Sequence, residues 1–315
     1  LVKAEGQRYF DEVEAEYERI LESGAHHTIP QVELDRVSAC FVMPPVDVVP
    51  DDAQEKAEQA LLAQAKTDKE FTRWLQQNVT SHQNPGLRVV TLSFKRLGQA
   101  PGDATADQLA TAADLADKFS SGEVRVNHDQ NLVLPWVRID QLAELYQAAK
   151  AAGFARANVH LLTDMIACPG GDYCALANAR SLPIAAAITE RYQDLDELFD
   201  LGEIDLHISG CINSCGHHHS GHIGILGVDK DGQEWYQVTL GGSDGSFLSG
   251  PAKAGKVVGP SFAAAEVVDV VEAVLDTYRD KRESHETFAR TLNRVGFDVF
   301  KAAANSARNT TARAA

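Results

Sequence analysis

Four of the five cysteines fall in two close pairs, each set in glycine. Cys168 and Cys174 stand in Ala-Cys-Pro-Gly-Gly-Asp-Tyr-Cys, and Cys211 and Cys215 in Gly-Cys-Ile-Asn-Ser-Cys-Gly. Four thiolates on two irregular glycine-rich loops suit a [4Fe–4S] cluster. Each iron takes one sulfur, and a backbone without side chains comes close enough to offer N–H groups to the sulfides. Two disulfides are the plain alternative, and they suit an exported chain; this sequence opens with no apolar leader. Clustered cysteines in a cytosolic chain are more often metal ligands or catalytic thiols. Structural zinc is the other alternative, but its paired ligands sit two to four residues apart on tight knuckles, and the first pair is wider. The intervals also differ from those of small ferredoxins. Cys40, in the apolar run Ser-Ala-Cys-Phe-Val-Met, reads as a buried core thiol. The run His217-His218-His219 with His222 invites a second metal, yet three consecutive histidines cannot share one helical face. Packing is the preferred reading for them.

These loops need a scaffold, and 315 residues are enough for two domains with cores of their own. The formal charge is −16, from 29 basic and 45 acidic residues. That balance argues against nucleic acid and against an anionic membrane surface as partners. No apolar run approaches transmembrane length. A cytoplasmic protein is expected, with a charge suited to docking a basic electron donor. The chain opens Leu-Val-Lys, which reads as a fragment of something longer.

The spacing predicts a charged amphipathic helix over 7–23 closed by Gly24, then a Pro-rich break over 43–50. Two helical segments follow, the first led by Asp51 and Asp52, the second carrying Phe71, Trp74 and Leu75 as a core stripe. Residues 87–94 read as a strand. Thr105 and Gln108 form a capping-box signature for a helix to about Phe119. Residues 123–128 and 131–137 read as strands, and 140–152 as a helix closed by Gly153. Strand, helix, strand, strand, helix is most of a ferredoxin-like unit, with its final strand unassigned. Beyond it, a helix is expected from just after Cys174 to about Tyr192, its N-terminus aimed at the cluster. A strand at 204–209 delivers Cys211. Strands at 223–228 and 235–240 flank the Asp-Lys-Asp-Gly turn at 229–232. Helices close the chain at 262–278 and 287–292, and the tail from 302 is expected to fray.

With these residues in place the chain resembles the C-terminal half of a sirohaem-dependent nitrite/sulfite reductase haemoprotein. The segment Gly122-Glu-Val-Arg-Val-Asn-His-Asp-Gln-Asn-Leu-Val-Leu resembles one in the family's ferredoxin-like half-domain. The two cysteine motifs, Asn213, Gly216, His218, Ile223-Gly224 and the stretch 286–297 also follow the family pattern. Ile212 stands where that pattern has proline, and Gly221-His222 where it has a small-acidic pair. The resemblance implies an α+β fold: a helical N-terminal linker region over 1–80, the half-domain over 81–154, an α/β sirohaem/[4Fe-4S]-binding domain over 155–301, and a disordered tail over 302–315. It implies a [4Fe-4S] cluster on Cys168, Cys174, Cys211 and Cys215, with the Cys215 thiolate shared with the sirohaem iron and so catalytic.

The implied activity is the six-electron reduction of sulfite to sulfide, with nitrite to ammonia as the alternative. The donor would be an NADPH-flavoprotein or a ferredoxin. A haem-free [4Fe-4S] electron-transfer module is the alternative from another class. Sirohaem carboxylates and an anionic substrate call for Arg and Lys. None occurs between Arg191 and Lys230. Arg156 and Arg180, flanking the first pair, are the candidates for cofactor contact, with Asn213. Lys95-Arg96 reads as a solvated strand end ahead of a haem contact, and Arg125 and Gln130 are open between structural and binding roles. The N-terminal half of the same enzyme is the expected partner and the source of the anion clamp.

Overall fold

The computed structural model describes residues 2–25, 27–47, 49–245 and 250–314, with side chains through Arg308. It divides into two units, Leu1–Val46 and Asp47–Ala315. The first holds helices α1 (Val2–Glu5), α2 (Gln7–Glu22) and α3 (Gln31–Ser38). Gly24 follows α2 at φ +69°, the left-handed stop expected there. None of these helices buries a residue within the unit. Their surfaces carry ion pairs at helical spacing, such as Arg8–Glu12 and Arg36–Glu33. Cys40 is exposed just past α3, and so are Phe41, Val42 and Met43. The core thiol expected there is therefore a surface thiol: the apolar run lies in irregular chain, with no element to carry it against a core.

The second unit opens with α4 (Asp51–Ala65) and α5 (Lys69–Gln77). Then come β1 (Val79–Ser81), β2 (Leu87–Leu92), α6 (Ala106–Phe119), β3 (Arg125–Val126), β4 (Leu132–Arg138) and α7 (Leu142–Ala152). The four strands form an antiparallel sheet in the order β1-β2-β4-β3. The place beside β2 that a final ferredoxin-like strand would occupy is taken by β1, from the N-terminal side. Phe71 and Trp74 are fully buried and meet Tyr146 of α7 at ring-centroid distances of 5.0 and 5.1 Å. Residues 47–80 thus belong to the core of the half-domain rather than to a linker. The capping box at Thr105 and Gln108 forms in full, and Gly153 closes α7 at φ +75°. The strand expected over 123–128 shrinks to two residues. Glu123 turns its carboxylate to the Trp136 indole, 2.6 Å away, and the chain bends again at Asn127.

The remainder is an α/β layer. It comprises β5 (Ile166–Ala167), α8 (Leu182–Arg191), α9 (Leu195–Leu201), β6 (Leu206–Ser209), β7 (Ile223–Lys230), β8 (Gln233–Leu240), β9 (Lys256–Val257), β10 (Phe262–Ala263), α10 (Val267–Lys281), α11 (Phe288–Val295) and α12 (Phe297–Ala314). The sheet runs β10-β8-β7-β6-β5, with β9 also on β8. β5, β6 and β7 are parallel, and β7 and β8 form the expected hairpin, turning at Asp231 (φ +55°) and Gly232 (φ +77°). Phe262 and Ala263, expected to open a helix, pair with Tyr236 and Trp235 instead, and α10 starts five residues later. The tail expected to fray over 302–315 continues α12 as far as Ala314. Phe300, Ala304 and Ala307 are buried in the same core as Val270, Val274 and Leu275 of α10. Alanine favours the helix, and its small side chain lets α12 approach α10 closely. Residue 315 and the side chains of 309–314 lie outside the described residues.

Candidate metal centre

Both cysteine loops leave the same end of the sheet, the carboxyl end of its parallel strands. β5 ends at Ala167 and β6 at Ser209, and Ala167 pairs in parallel with Ile208. Cys168 and Cys211 therefore emerge side by side beyond the carboxyl ends of neighbouring parallel strands, the end where open α/β sheets gather their ligands. A parallel pair also requires a crossover connection. The crossover from β6 to β7, residues 210–222, contains Cys211, Cys215 and the histidine run.

The two loops are locked backbone to backbone through glycine. A Cβ on Gly210 would lie 2.7 Å from the Gly170 Cα and 2.7 Å from the Ala179 carbonyl oxygen. A Cβ on Gly170, at φ +58°, would strike the Ser181 amide nitrogen. Across this contact the Asn178 and Ala179 amides donate to the Gly210 carbonyl at 2.8 and 3.0 Å, and within the first loop the Gly171 amide donates to the Ala179 carbonyl at 3.0 Å. The Gly210 amide donates to Cys168 Sγ at 3.1 Å, and Ser181 Oγ lies 3.4 Å from the same sulfur. Helix α8 starts at Leu182 rather than just after Cys174. Residues 175–181 are spent in turns that wrap the loop, and the helix N-terminus reaches Cys168 through Ser181. The pattern Ser181-Leu182-Pro183 is a helix-start signal that the alanine-rich stretch before it obscures.

The crossover is pressed onto β6. Gly216 abuts the Ile208 carbonyl and its amide donates to Ser209 Oγ at 3.1 Å, while Gly224 abuts the His218 carbonyl. Ser214 and His217 hold left-handed φ of +57° and +55°, an uncommon conformation for residues with a Cβ. Ser214 Oγ lies 3.2 Å from His218 Nδ1 and 2.8 Å from His219 Nδ1. His218 is 1% exposed, and burial pushes its imidazole down to about 4. Burial likewise lowers His207, whose Nδ1 is 3.0 Å from the His217 carbonyl. His222 accepts the Asp205 amide proton at Nδ1. Burial thus favours the uncharged ring at His207 and His218, and the whole group packs the crossover against β6.

The half-domain reaches into the first cysteine loop. Lys95, read from sequence as a solvated strand end, is 3% exposed and its Nζ donates to the Met165 carbonyl at 2.8 Å. Burial pushes it down to about 8, against the pull of the Asp164 and Asp129 carboxylates. Asp164 is itself buried and shifted upward by desolvation; it accepts from Asn131 Nδ2 and from the His160 amide. Gln130 bonds both the N–H and the C=O of Ala167. Arg96 caps the end of α7 through the Ala152 carbonyl and lies over the Phe154 ring.

The other expected contacts divide. Arg180 flanks the first loop, its stem 3.2 Å from a Cβ at Gly171, and its Nε is 3.2 Å from both Glu234 carboxylate oxygens. Asn213 is exposed between Cys211 and Cys215. Arg156 is turned elsewhere. It donates to the Gln193 carbonyl, and the 270 Å³ pocket that it lines with Arg96 and Lys150 contains no residue of either cysteine loop. The structure therefore does not bring Arg156 together with the cysteine loops. Arg125 pairs with Glu123.

All five cysteines are free thiols. Among the described residues, no three His, Cys, Asp or Glu side chains converge on a point where one metal ion could sit. A cubane asks for something else, one thiolate at each iron corner, and an N–H donor on a ligand sulfur is the environment its thiolates take. The glycine contacts and the Gly210 amide on Cys168 fit that group. Cys211 is buried, Cys168 and Cys174 are half-buried and Cys215 is exposed. Tyr173, Leu176 and Ile212 on the same loops are 81%, 72% and 77% exposed.

Comparison with known proteins agrees with this geometry. Residues 160–310 match the model for the nitrite and sulphite reductase 4Fe-4S domain, and residues 90–152 that for the nitrite/sulfite reductase ferredoxin-like half domain. A ferredoxin--nitrite reductase of Synechococcus elongatus is 32% identical over 189 residues, 58% of this chain and 36% of that protein. A sulfite reductase [ferredoxin] of Mycolicibacterium paratuberculosis is 28% identical over 215 residues, 65% of this chain and 38% of that one. The chain spans little more than a third of the curated relatives it matches. The structure of the Mycobacterium tuberculosis NirA protein superposes with a TM-score of 0.56 at 26% identity, covering 71% of this chain and 41% of that one. Dissimilatory sulfite reductase I shares the fold, with a TM-score of 0.56 at 15% identity over 80% of this chain and 86% of that one.

Proposed function

We propose that this chain, which belongs to the nitrite and sulphite reductase family over residues 90–152 and 160–310, is the cluster-bearing portion of an assimilatory sulfite reductase. The observation that carries the reading is the pair of locked loops at the carboxyl ends of two neighbouring parallel strands, with Cys168 already receiving a backbone N–H from the opposite loop. Cys168, Cys174 and Cys211 would hold three corners of a [4Fe-4S] cluster. Cys215, the exposed thiol of the set, would hold the fourth and present its sulfur to a sirohaem iron. The two cofactors supply the electron store and the site where the anion is reduced. The exposed Tyr173, Leu176 and Ile212 suit the face of a flat tetrapyrrole.

The chain's own part is to fix the thiolates, exclude water around Cys211 and leave Cys215 open. No Lys or Arg lies between Arg191 and Lys230, so the cationic clamp for the anion belongs to a complementary half of the enzyme. Ferredoxin is the proposed electron donor, since the relatives' names specify it. Nitrite is the second reading of the substrate, because relatives carry both labels.

Anaerobic reconstitution with iron and sulfide should yield about four irons per chain. Added sirohaem should then give a Soret band that Cys215→Ala loses while the iron of the other three corners is kept. A wild-type chain that takes up no iron overturns the proposal. Reduction of sulfite against nitrite by the enzyme completed with its other half, using a viologen donor, decides the substrate.

A further inference from the structure

We propose that Gln130 is the positioning residue for Cys168, a side-chain amide standing in for a missing strand at the edge of the cluster-bearing sheet. β5 is the outermost strand and only two residues long. The Cys168 amide points inward and donates to the Ile208 carbonyl of β6. By strand alternation the N–H and C=O of Ala167 point the other way, toward the open edge. Ala167 is nevertheless 2% exposed, so both groups need partners. Gln130 supplies them together: its Nε2 donates to the Ala167 carbonyl at 2.9 Å and its Oε1 accepts the Ala167 amide proton at 3.0 Å.

The glutamine is itself held. It sits at φ +59° in the turn before β4, and its stem leaves no room for a Cβ on Gly102, which would lie 2.6 Å from the Gln130 Cβ. The half-domain thereby grips the residue directly before the first cluster cysteine. Lys95 on the Met165 carbonyl grips the same segment two residues earlier. The geometry assigns Gln130 the task of keeping Cys168 Sγ under the Gly210 amide, and so of tuning the thiolate's hydrogen bonding.

The inference rests on the cluster reading only for its effect on iron; the joint itself is testable without metal. Gln130→Met keeps the length of the side chain and removes both hydrogen bonds. Leu134→Ala, in the half-domain core and away from the joint, serves as a control for loss of stability. In the metal-free protein, hydrogen exchange at the Ala167 amide should quicken on the order of tenfold or more in Gln130→Met relative to the control at matched unfolding midpoint. In the cluster-loaded protein, chelator-driven iron loss should quicken about tenfold, the lower end for removing an outer-shell partner. The reduced cluster's EPR g-values should also shift and its midpoint potential fall. Unchanged protection of Ala167, or iron loss no faster than in the control, would overturn the assignment. A wild type that binds no iron refutes the cluster reading instead, and the exchange experiment still decides the joint.

Discussion

Gly210→Ala tests the locking of the two loops directly. The added Cβ would stand 2.7 Å from the Ala179 carbonyl oxygen and from the Gly170 Cα, about 0.7 Å inside ordinary contact, and both neighbours are backbone. Gly210 has no left-handed φ, so the effect is steric alone. Overpacking of this kind costs about 1–3 kcal/mol. Parting the loops also stretches the hydrogen bonds that Gly210 makes to Asn178, Ala179 and Cys168 Sγ, adding about 1 kcal/mol. A total of about 3 kcal/mol corresponds to a fall in Tm of roughly 6–12 °C for a unit of this size. Gly171→Ala is the control. Its Cβ would meet the Arg180 Cγ at 3.2 Å, on an exposed side chain able to move, and should change stability by less than about 0.5 kcal/mol. Calorimetry of both variants, with iron counted after reconstitution, reads the difference. A Gly210→Ala protein that melts with the wild type and carries full iron would refute the account of the locked loops.

The remaining predictions concern single groups. Serine at Cys168, Cys174 or Cys211 should sharply reduce reconstituted iron, whereas Cys40→Ser should leave it unchanged and remove one exposed, alkylatable thiol; iron analysis and mass-spectrometric labelling check both. Lys95 is held down to about 8 in the fold and returns to about 10.4 when unfolded. Between those values the unfolded chain binds the extra proton, so stability should rise with pH by about 3 kcal/mol across that window. Lys95→Met should flatten the rise, measured by denaturant unfolding of the metal-free protein at both ends of the window, and a flat wild-type profile would sink the argument. Thr105→Ala removes the capping box of α6 and should cost about 1 kcal/mol, read as a lowered denaturation midpoint.

Local structure in this chain is legible in sequence where it depends on short spacing. The capping box at Thr105 and Gln108 and the Asp231-Gly232 turn form as read, and the glycines around the two cysteine pairs mark loops that meet in the fold. What escapes a sequence reading is set by distant partners. β1 is three residues with no alternation of its own, and it is a strand because β2 offers an edge. The Ala-Leu-Ala-Asn-Ala run after Cys174 has helical propensity, but the loop must turn twice to bring Ala179 against Gly210. Lys95 looks solvated until the Met165 carbonyl is brought above it. Arg156 looks available until the Gln193 carbonyl takes it. The fraying tail was an argument from composition that α10 overrules by supplying a surface.

The short β5 has a consequence for biosynthesis. Cys168 meets its N–H donor 42 residues further along the chain, and β6 is itself braced by β7 and the hairpin to β8. A ribosome that has just released Cys168 and Cys174 exposes two thiols with nothing to hold them, and loop closure of this length must come before any reward. The site therefore matures only after residue 240 has emerged. Iron delivered earlier would meet a flexible dithiol, open to oxidation and to the wrong metal.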